Sequence, residues 1–331
     1  MKKLLRLQSI FMLLLFFVAI AGCKKDDEDN GNSGGGDNPA QSNYRLTESV
    51  STEEGVEPSK DVYSYDSDKL SQVIEYTQPS KGDWVEVSKT VVSYPSDNSF
   101  EMVTSDYING EWSLSEKEVI THQNGLWEMD MVYEYNGADW VSESKAVYTY
   151  IDNKISKEEG FEYFDGEMEN EYKYLYSYVG DTPSAVEKYQ WDDGDWLFTG
   201  KDTLTFSNGK LAKFESSYLV EGTEILVKYE YSYTGDLASS ISISYYMYNM
   251  WINAGTISFT YDEHNNMIKM DATGEYLSFV DTFTYEEGSS NWALINGKPG
   301  FFYFYGMEYA KLSGKINNEI SKVVKSVLSQ R

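Results

Sequence analysis

The sequence predicts an all-β protein: a long antiparallel meander of about 18 strands, built from 28-residue β-hairpin repeats and curled into a closed or nearly closed barrel. Three observations carry this. A pattern Lys-x-x-Φ-[Ser/Thr]-aromatic, with Φ large and apolar, recurs along the chain, its Lys at Lys60, Lys89, Lys117, Lys145, Lys173, Lys201 and Lys228. Its aromatic falls at Tyr65, Tyr94, His122, Tyr150, Tyr178, Phe206, Tyr233, Tyr261 and Tyr285, at spacings of 29, 28, 28, 28, 28, 27, 28 and 24 residues. Ten residues before the aromatic stands a Trp that follows a turn, at Trp84, Trp112, Trp140, Trp196 and Trp251, with Met168 in the vacant step. Turn dipeptides punctuate the interval, among them Asn109-Gly110, Asn124-Gly125, Asp193-Gly194 and Asn208-Gly209, the pairs that favour the positive φ angles of tight hairpins.

Residues 1–22 read as a signal peptide. Lys2, Lys3 and Arg6 precede an apolar run, Leu13 to Ala21, that is too short for an ordinary membrane span. The run ends Ile20-Ala21-Gly22-Cys23 and resembles the lipobox of bacterial lipoproteins, which implies a lipid on Cys23. Cys23 is the single cysteine, so no disulfide within the chain is available. Residues 23–43 read as a flexible tether, acidic at Asp26-Asp27-Glu28-Asp29 and then rich in Gly, Asn and Ser. Its start resembles the surface-export signals of Bacteroidota lipoproteins.

Removing the signal peptide takes three positive charges and no negative ones. With 27 − 3 = 24 basic against 54 acidic residues, the mature chain carries about −30. Nucleic acid is thereby excluded as a partner, since phosphate contacts need clustered Lys and Arg. Binding flat on anionic lipid is disfavoured for the same reason. The membrane is engaged through the lipid alone.

The repeat domain spans 44–312. In the unit 140–164, Trp140 to Tyr150 has strand composition, Asp152-Asn153-Lys154 is a turn, and Ile155 to Phe164 is the returning strand. Strict alternation places Trp140, Ser142, Ser144, Ala146, Tyr148 and Tyr150 on one face, and Val141, Glu143, Lys145, Val147 and Thr149 on the other. Trp and Lys rows are therefore expected on opposite faces, neither of which carries an apolar belt. A membrane-spanning barrel would place Lys89, Lys117, Lys145, Lys173 and Lys201 in hydrocarbon, at about 2–4 kcal/mol each, and is rejected. At about −20 to −25° of twist per strand pair, so long a meander turns through roughly a full circle. Closure is favoured over an open superhelical sheet because it removes exposed edges.

Residues Phe301 to Tyr305 form a strand that is bulky on both faces. Ile316, Ile320, Val323, Val324, Val327 and Leu328 then follow at helical spacing, which predicts an amphipathic helix over 313–331 packed on one end or face of the sheet.

Tyr63-Ser64-Tyr65-Asp66 and Phe259-Thr260-Tyr261-Asp262, each followed by a turn, are similar to YD-type repeats of secreted bacterial proteins. Together with the lipobox and tether, they resemble a Bacteroidota family of secreted proteins of unknown function with a porin-like fold. The resemblance covers residues 44 to 290; it implies a large meandering barrel and supplies no active site.

The Trp row is the candidate ligand-stacking surface, at a pitch of about 9.6 Å that suits a polysaccharide. The competing expectation is that each Trp covers its own hairpin. Beside it runs an acidic row, Asp83, Glu111, Asp139, Glu167 and Asp195. Ca²⁺ is the ion such a row would attract, but no Asp-x-Asp-x-Asp-Gly loop accompanies it, and no cofactor is expected. His122 reads as a variant of the repeat aromatic. His264 with Asp262 is a weak metal pair. No Gly-x-Ser-x-Gly, His-Glu-x-x-His or P-loop pattern occurs. The expected function is a non-catalytic binding or scaffold module on a lipid-anchored outer-membrane protein. It would face the cell surface, or alternatively the periplasm, and bind polysaccharide or another surface protein. The rival is a glycan hydrolase working with paired carboxylates.

Overall fold

The structure is a computed structural model that describes residues 44–79, 82–164, 166–220, 223–247, 249–274 and 277–288. The signal peptide expected over 1–22, the tether expected over 23–43, the strand expected at 301–305 and the helix expected over 313–331 lie outside the described residues.

Among the described residues, 18 antiparallel strands close into a β-barrel. They are β1 (Tyr44–Glu53), β2 (Ser59–Asp66), β3 (Lys69–Thr77), β4 (Val85–Ser96), β5 (Ser99–Ile108), β6 (Glu111–Gln123), β7 (Leu126–Tyr135), β8 (Trp140–Ile151) and β9 (Lys154–Phe164). The second half comprises β10 (Glu167–Val179), β11 (Thr182–Asp192), β12 (Asp195–Ser207), β13 (Lys210–Val220), β14 (Thr223–Thr234), β15 (Leu237–Met247), β16 (Met250–Tyr261), β17 (Met267–Thr273) and β18 (Ser278–Glu287). Each strand pairs with its chain neighbours, and β1 pairs with both β2 and β18, from Tyr44↔Glu287 to Glu53↔Phe279. The described strands close the barrel through the β1–β18 pairing. The two-residue turns take the conformation their sequences dictate, with φ of 55° and 89° at Asn109-Gly110 and 44° and 92° at Asp193-Gly194.

The closed meander has two rims. Odd strands end and even strands begin at one, termed the far rim. The chain enters at Tyr44 and leaves at Glu287 on the other, the near rim.

Two bulges per repeat modify the alternation read from the sequence. On even strands one extra residue opposes the preceding strand at Val87, Ser115, Glu143, Glu171, Thr199 and Ala254. On odd strands an extra residue follows the turn at Ser71, Glu128, Ser156, Ser184, Ala212, Ser239 and Ile268. Each bulge shifts the side-chain parity of everything beyond it. The expectation that Trp and Lys occupy opposite faces is therefore corrected: five positions separate them, the even-strand bulge absorbs one, and both rows lie on the outer face.

The expectation that neither face is apolar is corrected as well. The inner face carries one continuous cluster that runs from Leu46 of β1 to Phe283 of β18 and includes Phe100, Ile120, Trp127, Phe214, Tyr229, Ile243 and Ile257. Odd strands supply much of it, and each fully buried side chain of this size contributes about 1.5–3 kcal/mol. Tyr174, Tyr176 and Tyr178, with Tyr229, Tyr231 and Tyr233, belong to this inner face. The outer face pairs lysines with acids, as in Lys157–Glu159 at 2.7 Å, Lys213–Glu215 at 2.7 Å and Lys228–Glu230 at 2.8 Å.

The repeat aromatic explains itself at the near rim. Its phenol donates to a backbone carbonyl of the preceding hairpin: Tyr65 to Leu46, Tyr94 to Leu70, Tyr150 to Trp127, Tyr178 to Ile155, Tyr233 to Leu211, Tyr261 to Ala238 and Tyr285 to Met267, all within 2.8–3.0 Å. Burial pushes the Tyr178 and Tyr261 phenols up to about 12. This ladder stitches hairpin to hairpin on the inner side, where neutral donors are needed to satisfy carbonyls out of water.

Candidate functional site: the far mouth

The residues that follow Trp84, Trp140 and Trp196, the residue that precedes Trp251, and the last residues of β5 and β9 before their far-rim turns point to the inner side of the barrel. Register fixes this direction: Val85 opposes Thr77, Val141 opposes Glu134, and Leu197 opposes Gln190, all on the inner parity of their strands. Val85, Ile108, Val141, Phe164, Leu197 and Met250 thus form an apolar ring around the mouth, each between 37% and 65% exposed. Among the described residues, the exposed large apolar side chains away from this rim are Val91, Ile151 and Val179.

Below the ring lies a carboxylate layer on β5 to β10, formed by Asp106, Glu116, Glu134, Glu143, Glu162 and Glu171. Burial pushes the Glu116 carboxyl up to about 8, and the negative charges of Glu143, Asp130, Asp106 and Glu134 push it the same way. Glu171 is raised by burial and then by Glu162. Glu116 therefore holds its proton at neutral pH. The opposite arc of the inner wall, Ile225, Val227, Ile243, Tyr245 and Ala254, is buried and apolar.

Deeper in the barrel the polar groups are paired. Glu158 accepts from the phenols of Tyr172 and Tyr176, each at 2.9 Å. Lys188, the one lysine that register places on the inner face among the described residues, lies 2.6 Å from the fully buried Asp202. Burial raises the Asp202 carboxyl, and Lys188 opposes that rise.

The Trp row stands outside this mouth. Each indole receives the lysine of the preceding repeat over its ring: Lys60 on Trp84 at 5.0 Å, Lys89 on Trp112 at 4.5 Å, Lys117 on Trp140 at 5.3 Å, Lys173 on Trp196 at 4.4 Å and Lys228 on Trp251 at 4.8 Å. A second aromatic packs beside four of them, with centroids 5.1 Å apart for Tyr107 and Trp112, 5.2 Å for Tyr135 and Trp140, 5.0 Å for Trp191 and Trp196, and 5.4 Å for Tyr246 and Trp251. In the repeat with Met168, Lys145 turns to Phe161 at 5.7 Å. The indoles are thus engaged within the outer face of the sheet. The acidic row beside them, Asp83, Glu111, Asp139, Glu167 and Asp195, is exposed in the rim turns.

His122 is buried on the inner face between strands, 6.2 Å from the Phe100 ring, and burial lowers its basicity. Asp262 accepts from the backbone N–H of His264 at 2.9 Å and of Asn266 at 2.8 Å, and from the Asn266 amide at 2.9 Å. Burial pushes the Asp262 carboxyl up, and these hydrogen bonds outweigh it and hold the group below its ordinary range. The His264 ring stacks on Tyr44 at 4.6 Å. The pair is built as a loop cap, and no three metal-ligating side chains come together among the described residues.

Sequence reasoning placed the Trp and acidic rows at one rim and missed the mouth ring and the carboxylate layer. The Trp-Val and Trp-Leu dipeptides at 84–85, 140–141 and 196–197 were the available signal for the ring.

No family model matches the chain, and no curated protein matches it. Among solved structures, it is similar to a porin-like protein from Bacteroides uniformis, at 10% identity over 73% of this chain and 96% of the other, with a TM-score of 0.42. A porin-like protein from Bacteroides vulgatus matches at 12% identity over 73% of this chain and 98% of the other, with a TM-score of 0.34. A protein of unknown function from Bacteroides fragilis matches at 13% identity over 45% and 91%, with a TM-score of 0.22. Likeness at this level conveys no shared function.

Proposed function

We propose that this chain is an outer-membrane lipoprotein, held by a lipid on Cys23 and facing the cell surface, whose barrel is a non-catalytic binding or scaffold module standing in water. The observation that carries this reading is the outer face. Lys89, Lys117, Lys145, Lys173, Lys201 and Lys228 lie there within successive even strands from β4 to β14, with Lys60 near the start of β2, where a lipid-facing belt would have to be apolar. A barrel that does not enter the bilayer needs another attachment, and the Cys23 lipobox supplies one. The tether joins the barrel at the near rim, so the far mouth is the end directed away from the anchor. We take that mouth as the binding end.

Globomycin is expected to leave an unprocessed precursor, and Cys23→Ser is expected to release the protein from membranes. Retention of the Cys23→Ser protein in a salt-washed membrane fraction would sink the anchor. Protease added to whole cells is expected to digest the barrel if it faces outward.

The raised carboxyl of Glu116 among neighbouring carboxylates favours a second reading, a glycan hydrolase with Glu116 as general acid. A screen of the purified mature chain on polysaccharides separates the two. Turnover that disappears in Glu116→Gln replaces the binding module with the enzyme.

A further inference from the structure

We propose that the far mouth binds a cationic amphipathic helix of another protein, laid along the arc of rim from β5 to β12. The proposal rests on the reading of the mouth as the binding end and names the class of partner. Four consecutive hairpins form this arc, β5–β6, β7–β8, β9–β10 and β11–β12. Each carries an exposed apolar side chain on the inner side of its tip and an exposed acid beside it. Ile108 stands directly opposite Glu111, and Phe164 directly opposite Glu167. Asp139 and Val141 flank Trp140, as Asp195 and Leu197 flank Trp196, with Asp192 and Asp193 in the same turn as Asp195.

The acids of this arc lack a counter-charge of their own. Among the described residues, no lysine, arginine or histidine forms an ion pair with Glu111, Asp139, Glu167, Asp192, Asp193 or Asp195. The near rim differs. There Arg45 meets Glu286 at 2.6 Å, Lys210 meets Asp236 at 2.8 Å, and Lys154 pairs with Asp181. An occupant of the far arc must therefore bring apolar groups and positive charge together. A second copy of this acidic chain and an anionic lipid surface are repelled. A neutral glycan supplies no charge, and a small hydrophilic cation leaves the apolar side chains in water.

Spacing selects a helix. Successive hairpins lie about 9.6 Å apart across the strands. Residues i and i+7 of an α-helix share a face and lie about 10.5 Å apart. In an extended segment, residues on one face repeat at about 6.6 Å and then about 13 Å, which misses that pitch. Three intervals cover about 29 Å, or roughly 19 residues of helix. An apolar stripe of that length meets Ile108, Val141, Phe164 and Leu197, and Lys or Arg along its flank meets the acids of the turns.

The test uses the mature chain with Cys23→Ser and a fluorescent probe peptide of three heptads, with Leu on one face and Lys on the other. Anisotropy gives its affinity. The probe is expected to bind at least tenfold more tightly than the same residues in scrambled order or oligolysine of equal length. Phe164→Ser with Leu197→Ser is expected to weaken it at least tenfold, and Ile108→Ser with Val141→Ser replaces that pair if it does not fold. Glu111→Gln, Glu167→Gln and Asp195→Asn together are expected to weaken it at least fivefold. The charge-matched near-rim set, Asp66→Asn, Asp97→Asn and Asp152→Asn, is expected to change it less than twofold. A probe that does not bind, a scrambled peptide that binds as well, or equal losses from the two charge sets overturns the proposal. A glycan array on the same proteins separates the two readings. A glycan that is lost on Phe164→Ser with Leu197→Ser, while the probe stays inert, keeps the mouth as the binding end and overturns the cationic partner. Binding of probe or glycan that responds to the near-rim set alone removes both.

Discussion

The two rims of the barrel are made from the same repeat, yet they finish differently. At the near rim, the inward residues that begin the odd strands, Leu70, Trp127, Ile155, Leu211 and Met267, are at most 4% exposed, and the phenol of the following repeat ties down most of their carbonyls. At the far rim, inward residues such as Val141, Phe164 and Leu197 are apolar too but stay exposed, and over β5 to β10 carboxylates replace the apolar layer beneath them. Turn chemistry is alike at both ends, with Asn-Gly at 109–110 and again at 124–125. The difference comes from what lies behind the turn. A buried apolar layer lines the near rim, and ionisable side chains line part of the far one.

The largest expected effect tests the buried near-rim layer. Trp127 is 2% exposed and packs against Phe100 at 5.8 Å and Tyr148 at 6.3 Å. Trp127→Ala is expected to cost about 3–5 kcal/mol in urea denaturation, while Phe164→Ser at the mouth changes stability by less than about 0.5 kcal/mol. Similar losses in both variants would erase the distinction between the rims.

The carboxylate layer comes next. Glu116 binds its proton up to about pH 8 in the folded barrel and only to about 4.5 in the unfolded chain. The folded state therefore holds the extra proton between these values. Its stabilising contribution is complete below pH 4.5 and is lost as pH rises through about 8. Glu116→Gln is expected to flatten this decline and to gain about 2 kcal/mol over wild type at pH 8.5. Urea midpoints measured from pH 4.5 to 8.5 check this, and an unchanged slope in the variant would place the titration elsewhere.

The phenol ladder is weaker per rung. Tyr150→Phe removes the 2.8 Å bond to the Trp127 carbonyl and should cost about 1 kcal/mol. Phe206, which lacks the hydroxyl, provides the comparison: Phe206→Leu should lose packing without any hydrogen-bond component, so its loss should not respond to phenol ionisation at high pH.

The smallest effect belongs to the outer face. A double-mutant cycle of Lys117→Ala and Trp140→Ala is expected to give a coupling of about 0.5–1 kcal/mol. Coupling near zero would mean that the indoles are not held by their lysines and remain free to stack on a ligand.

The sequence determined the repeat, the strand count and the turns, because each of these is local, and favoured closure over an open superhelical sheet. A 28-residue period fixes the hairpin, Asn-Gly fixes its turn, and accumulated twist closes a sheet of this length. It also placed Trp84, Trp112, Trp140, Trp196 and Trp251 on one rim, since all begin equivalent strands. What it could not determine was which residues share a face. A bulge is a decision between two strands about register, and no residue in Trp140 to Tyr150 announces that Glu143 will be the extra one. That single displacement brings Lys117 over Trp140, turns Val141 into the mouth and gathers Glu116, Glu134 and Glu143 on one wall. The raised carboxyl of Glu116 is likewise a tertiary fact, because it arises from burial and from carboxylates that three other strands deliver.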